Sequence, residues 1–288
     1  MGAGEAGASP ALSRNGDSAR GPISPVTCPC KDPSAFEERP GPTDAPSPFS
    51  LAVKARVFVF LEVIVQQRVS LVERYALPPR EIEERSFQII EGLLPRLDCS
   101  RSERQVIARI VHAAGDADVA KAVRLHPRAL EAATAALKGG APIYTDVRMV
   151  AVGVSPVLLK HCGCEIHCVI ADPQVAARAR AEGTTRAIAA MRHLAPKLTD
   201  AVVAIGNAPT ALLALLDLVD AGVARPAAIV GMPVGFVAAP ESKAELMQRN
   251  IPYITVEGPR GGSAMAAATL NALLLLARDG PGGSPVSI

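Results

Sequence analysis

Between Ile107 and Asp116 the chain reads Ile-Ala-Arg-Ile-Val-His-Ala-Ala-Gly-Asp, which sets one histidine, His112, in an apolar helical run that a glycine ends at once. A histidine there is either a satisfied core residue or an acid aimed into a pocket, because imidazole exchanges its proton near neutral pH. Other groups able to hold a ligand follow short apolar runs. Asn207 and Thr210 stand in Gly206-Asn207-Ala208-Pro209-Thr210, where Pro209 suits the first turn of a helix. Lys243 follows Glu241-Ser242, and Arg260 and Ser263 lie in Glu257-Gly258-Pro259-Arg260-Gly261-Gly262-Ser263. Adjacent glycines there let backbone N–H groups approach an anion at a helix N-terminus. Each segment alone reads as an ordinary strand-to-helix turn; together they suggest a broad pocket for a ligand carrying several carboxylates. No Walker A string and no complete G-x-G-x-x-G opens any of these helices, which argues against a nucleotide.

The string His161-Cys162-Gly163-Cys164-Glu165-Ile166-His167-Cys168 offers soft and borderline metal ligands at short spacing. Glu165 to Ile170 also reads as a strand whose alternation sends Cys168 into the core. That leaves His161, Cys162 and Cys164 in a loop without a second ligand cluster, so no metal site is expected. Six cysteines in 288 residues do not make a disulfide scaffold.

The elements that must position these groups follow from composition and pattern. With 49% hydrophobic, 20% charged and 3% aromatic residues and no tryptophan, the core is expected to consist of Ala, Val, Leu and Ile, as in helices packed on a parallel sheet. A net charge of +2 without a long basic stripe excludes nucleic acid as a partner on bulk electrostatics. The absence of a long uninterrupted apolar run or a secretory h-region predicts no membrane span and a cytoplasmic protein.

Residues 1–49, rich in Gly, Pro, Ser and Ala, read as a flexible extension, and 280–288 as a flexible tail. Residues 50–74 form an apolar segment that fits a strand or a helix, and 75–279 form the main domain. Predicted helices are Pro79 to Leu94, Ser100 to Ala114 with a Ser100/Glu103 capping box, Pro127 to Leu137, Val175 to Leu194, Pro209 to Ala221, Ser242 to Asn250 and Gly262 to Ala277. Predicted strands are Pro142 to Thr145, Glu165 to Ile170, Ala201 to Ile205, Ala227 to Gly231 and Tyr253 to Val256. The alternation predicts a three-layer α/β fold with a mainly parallel five-stranded sheet, and chemistry at the carboxyl ends of its strands.

Several longer motifs carry a resemblance: Ala204 to Leu212, Gly231-Met232-Pro233-Val234-Gly235-Phe236-Val237 with Glu241-Ser242-Lys243, and Arg260-Gly261-Gly262-Ser263-Ala264-Met265. Ile82-Glu83-Glu84-Arg85-Ser86-Phe87, the His112 motif, Thr145 to Val150, and Thr185-Arg186 add to it. From about Tyr75 to Ala277 the chain resembles the precorrin-8X methylmutase (precorrin isomerase) family. The resemblance implies a flavodoxin-like sheet, no organic cofactor, and a homodimer with substrate pockets near its interface. It implies an isomerase of cobalamin biosynthesis that shifts a methyl group from carbon 11 to carbon 12 of precorrin-8X or cobalt-precorrin-8. The product would be hydrogenobyrinate or its cobalt-containing counterpart, open to hand-over to the next corrin-pathway enzyme.

The family's catalytic histidine corresponds to His112 and its substrate-binding serine to Ser86. With a polycarboxylate as ligand, Arg186, Lys243 and Arg260 become charged partners and Ser86 and Ser263 donors. Arg109, one turn before His112, either grips a carboxylate or faces solvent, and Arg186 could instead cap a helix or pair with Glu182. The chain departs from the family pattern at Pro259, where Arg is common, and at Ala187, where Ser is usual. The rival readings are a non-catalytic tetrapyrrole carrier, a flavodoxin-like nucleotide module, and a metal-binding regulator built on Cys162, Cys164 and His161.

Overall fold

The computed structural model describes residues 70–280. The expectations for residues 1–49, for all but the end of 50–74, and for 281–288 lie outside the described residues. In chain order the helices are α1 (Leu71–Tyr75), α2 (Pro79–Leu93), α3 (Arg101–Ala114), α4 (Ala129–Lys138), α5 (Arg148–Val152), α6 (Pro156–Cys162), α7 (Pro173–Ala181), α8 (Arg186–Leu194), α9 (Pro209–Asp220), α10 (Ala239–Met247) and α11 (Ser263–Asp279). The strands are β1 (Val123–Leu125), β2 (Ile143–Thr145), β3 (Ile166–His167), β4 (Val202–Ile205), β5 (Ala228–Gly231) and β6 (Tyr253–Val256).

The sheet runs β1-β6-β5-β4-β2-β3, so it has six strands where five were expected. The extra strand, β1, pairs antiparallel with β6 at one edge, whereas the other five are parallel. Three residues, Val-Arg-Leu, are too short to show a period, which is why pattern alone passes over them. The parallel strands reverse direction of travel between β2 and β4: from β2 the chain moves outward to β3, then returns to β4 on the other side. This is the topological switch point of a flavodoxin-like sheet.

Strand alternation divides the core in two. Ile143, Val202, Ala204, Ala228, Val230, Ile254 and Val256 face one layer, with α2 to α6 and α11 packed over them. Tyr144, Val203, Ile205 and Ile229 face the other, under α7 to α10. Alanine is abundant at both contacts, letting helices lie close to the sheet in place of aromatic bulk.

The helix carrying His112 begins where the sequence places it: Ser100 accepts from the Glu103 amide at 3.2 Å, and the Glu103 carboxylate accepts from the Ser100 amide at 2.7 Å. It ends at Gly115, whose φ of 64° is the left-handed conformation glycine adopts without penalty. The single helix expected from Val175 to Leu194 is two, α7 and α8. Gly183 turns left-handed and Thr185 caps α8 by accepting from the Ile188 amide. The helix expected at Ser242 starts three residues earlier, after Ala238 in the left-handed region.

Gly206, just after β4, is a close approach between sheet and helix backbone. A Cβ there would lie 2.5 Å from Val150 Cγ2 and 2.9 Å from the Ser263 Cα that opens α11. Gly206→Ala is expected to cost roughly 1–3 kcal/mol, as overpacking does where backbone is the neighbour. Urea unfolding of this variant should show a lowered midpoint, and an unchanged midpoint would mean that α11 shifts freely.

Candidate active site

Helices α2 and α3 face each other through residues at matching spacing. On α3, Arg109 and His112 lie one turn apart; on α2, Glu83 and Ser86 do the same. Ser86 Oγ lies 2.9 Å from His112 Nδ1, and Arg109 donates to Glu83 Oε1 at 3.1 Å. Phe87 joins the pairs: its ring stacks on the His112 imidazole at 5.2 Å between centroids and 16° between planes, and the Arg109 guanidinium lies 5.1 Å from its centroid. Arg109 is buried, and burial pulls its guanidinium below its ordinary pKa while the charge and hydrogen bond of Glu83 oppose that pull.

His112 itself is exposed and lies on the wall of two cavities. The larger, about 540 Å³, is bounded by Ile82 and Glu83 of α2, Arg109, and Ala264, Ala267 and Asn271 of α11. The smaller, about 220 Å³, includes Ser86, Ile89, Leu93, Gly115 and Asp116. Small-molecule sites commonly span roughly 300–1,000 Å³, and the larger cavity falls in that range. Among the described residues His112 Nε2 has no protein hydrogen-bond partner, while Nδ1 is held by a hydroxyl. Serine can donate to neutral Nδ1 or accept from the protonated ring, so the contact survives either charge state of the imidazole. The arrangement can therefore deliver and recover a proton through Nε2 beside an apolar cavity.

The model of the precorrin-8X methylmutase family matches residues 81–276. The chain belongs to that family. It is 47% identical over 201 residues to the precorrin-8X methylmutase of Pseudomonas aeruginosa, covering 69% of this chain and 96% of that protein. It is 40% identical over 205 residues to the cobalt-precorrin-8 methylmutase of Leptospira interrogans, covering 68% and 93%. The solved structure of precorrin-8X methyl mutase from Thermus thermophilus superimposes with a TM-score of 0.66 at 42% identity, over 70% of this chain and 98% of that one.

Within this methylmutase fold, the groups expected to share one pocket fall into separate places. Ser86, Arg109 and His112 come together, and Arg109 does not face solvent as one of its two readings had it. Asn207, Thr210 and Arg186 lie at the strand ends on the side of α8 and α9. There Thr185 and Thr210 hydroxyls approach to 3.4 Å, and Arg186 is exposed. Arg186 neither caps α8 nor pairs with Glu182; Thr185 is the cap, and Glu182 is held by Arg178 and Arg192 at 2.6 and 2.7 Å. Ser263 opens α11 against Gly206, one residue before Ala264 of the larger cavity.

Lys243 and Arg260 differ most from the charged grips expected of them. Lys243 is 0% exposed and its ammonium donates to the Arg260 carbonyl at 2.6 Å. The Arg260 guanidinium reaches Asp116, beside the smaller cavity, at 2.6 Å. Both charges thus serve internal contacts, because the β6–α11 loop folds back over α10 and against the end of α3.

Glu83, Phe87, Asp116 and Asp146 were not singled out as site residues. The shared i, i+3 spacing of Glu83/Ser86 and Arg109/His112 is the signal that could have revealed the first. Asp146 is 0% exposed and accepts the amides of Gly206, Asn207 and Ala208 at 2.9, 2.9 and 2.8 Å. Burial raises its pKa, and those amides pull it back. The cysteine string resolves differently from expectation: β3 is only Ile166–His167, Cys168 is half-buried, and Cys164 is the buried thiol, bonded to the Leu137 carbonyl and pushed up to about 11 by burial. Among the described residues no three His, Cys, Asp or Glu side chains are placed to hold a metal ion.

Burial lowers Lys243 from 10.5 to about 8. The folded protein therefore releases this proton before the unfolded chain does, and the unfolded chain binds more protons across the window between those values. Stability relative to Lys243→Met should rise with pH from about 8 to about 10.5, by up to about 3 kcal/mol. Urea midpoints of the two proteins compared across that range check the sign; a fall would mean the ammonium has a carboxylate partner in solution.

Proposed function

We propose that the chain catalyses the methylmutase reaction of its family on precorrin-8X or cobalt-precorrin-8, with His112 as the general acid. The reading rests on one observation above the others: an imidazole fixed at Nδ1 by Ser86, with Nε2 unpartnered among the described residues, on the wall of a cavity of about 540 Å³. A methyl shift from carbon 11 to carbon 12 of a conjugated macrocycle requires its double bonds to move. Protonation of the ring by imidazolium makes the shift favourable, and return of a proton to neutral imidazole leaves no net change in atoms. The apolar wall of Ile82, Ala264 and Ala267 would take the face of the macrocycle, and Phe87 would keep the imidazole from turning away.

The acidic side chains of such a substrate suit Arg109 at the cavity and Arg186, Asn207, Thr210 and Ser263 at the strand ends. A homodimer would bring a second set of these groups to each pocket. Ile82, Ile89 and Leu93 along α2 are exposed beside both cavities, an apolar stripe that a second copy would cover. We place the reaction in the cytoplasm, with hand-over of the corrin product to the next enzyme of the route. Among the described residues no helix is long and apolar enough to cross a membrane, and a net charge of +2 gives nucleic acid little hold.

His112→Ala should lower turnover by about 10²–10⁴-fold with the fold intact. The visible spectrum of purified protein incubated with precorrin-8X, wild type beside variant, reads this directly. Conversion by the wild type alone is the expected result. Bound but unconverted pigment with both proteins would assign the carrier role instead, and equal conversion by both would remove His112 from the mechanism.

A further inference from the structure

Lys243 poses a physical problem that packing does not answer. An ammonium buried in an Ala- and Leu-rich layer loses its hydration, and the acceptor it meets is a neutral carbonyl, that of Arg260. Among the described residues no carboxylate offsets the burial that lowers its pKa. Methionine or leucine would fill the same volume at lower cost, so the lysine's worth must lie in what its single hydrogen bond holds.

What it holds is a loop with very little freedom. The Gly262 amide donates to the Met232 carbonyl at 2.8 Å, and the Gly235 amide to the Pro259 carbonyl at 3.1 Å. Between them, a Cβ on Gly261 would lie 2.5 Å from the Met232 oxygen and 2.6 Å from that of Pro233. The β5 and β6 exits are thus stitched together around Arg260, with its carbonyl toward Lys243. Its side chain crosses to Asp116 Oδ2, a contact between residues 144 apart in sequence. Asp116 follows the helix-ending Gly115, whose amide bonds the carbonyls of Val111 and His112. Its other oxygen accepts the Asp118 amide at 2.9 Å, opening the 3₁₀ turn Ala117–Ala122. Gly115 and Asp116 line the smaller cavity together with His112 and Ser86.

We propose that Lys243, Arg260 and Asp116 are positioning residues for His112: the buried ammonium sets the Arg260 backbone, and the Arg260 guanidinium pins the turn that ends the histidine's helix. None of the three need touch the substrate. The pairing also neutralises a carboxylate that would otherwise confront an acidic ligand at the cavity mouth. The proposal rests on the role given to His112 above.

The test uses the full chain with Asp116→Asn, Arg260→Gln, their double variant and Lys243→Met. Asp116 and Arg260 are partly exposed, and asparagine keeps an oxygen for the Asp118 amide, so these variants remain informative should Lys243→Met fail to fold. A positioning device predicts a kcat lowered roughly tenfold to a hundredfold with KM little changed, because small misplacements of a reacting group have effects of that size. The double variant should be no slower than either single one, since all three lose the same contact. A raised KM with kcat intact would overturn the proposal and make Arg260 a direct substrate grip; independent effects that multiply would overturn it too. Hydrogen exchange of residues 112–118 gives a readout that needs no turnover. Faster exchange in Arg260→Gln than in wild type supports the proposal even if the wild type leaves precorrin-8X unconverted, a result that would refute the assigned reaction alone. Unchanged exchange would overturn the proposal.

Discussion

The carboxylate of Asp146 ties together the carboxyl ends of β2 and β4, on either side of the sheet's switch point. It leaves the end of β2, crosses the switch point and accepts three successive amides at the end of β4. Those amides form the kind of N–H nest, just ahead of a helix, that elsewhere takes a phosphate. Ala208 offers no side chain to cap α9, and Pro209 has no amide to offer, so the remote aspartate completes the helix start. The protein fills its own anion site at the place where doubly wound folds bind nucleotides. This is a structural reason, independent of any missing fingerprint, against a nucleotide phosphate at that nest.

The proposed site lies one layer out. Asp146 fixes Gly206, Gly206 leaves room for the start of α11, and α11 presents Ala264 and Ala267 as a smooth wall opposite α2 and α3. Across that wall the polar groups are held in place by neighbours. Arg109 is anchored to Glu83 and lies against Phe87, and Ser86 is spent on the imidazole. An imidazole so held would lose little freedom on meeting a ligand, which is where much of the benefit of a preorganised group arises.

The charges of the strand-end loops are taken up by the protein's own groups. Lys243 and Arg260, the two cations most prominent in the strand-end motifs, stitch loops to one another and to the end of α3. The exposed groups left at the strand ends, Asn207 and Arg186 among them, carry no such internal task in the contacts described above. Apolar side chains stand exposed both along α2 and at Phe236 and Val237 after β5. A surface of that kind suits a large, flat ligand or a second protein copy better than it suits bulk water.

The sequence by itself determined the elements whose signals are local. The Ser100/Glu103 box and Gly115 delimit α3 to the residue, the β-branched runs mark β2, β4, β5 and β6, and the order of strands and helices dictates the α/β class. It also marked His112, because a histidine before a helix-ending glycine is visible without coordinates. Long-range partners left no such trace. Val123–Leu125 became a strand only by pairing with β6, and Gly183 broke a helix whose apolar period continues through it. The destinations of charges were likewise decided in three dimensions. Whether Lys243 meets a ligand or a carbonyl, and whether Arg260 meets a substrate or Asp116, depends on how the loops after β5 and β6 fold over α10 and α3. Backbone direction and burial set that outcome, and neither is encoded in residue type or in spacing along the chain.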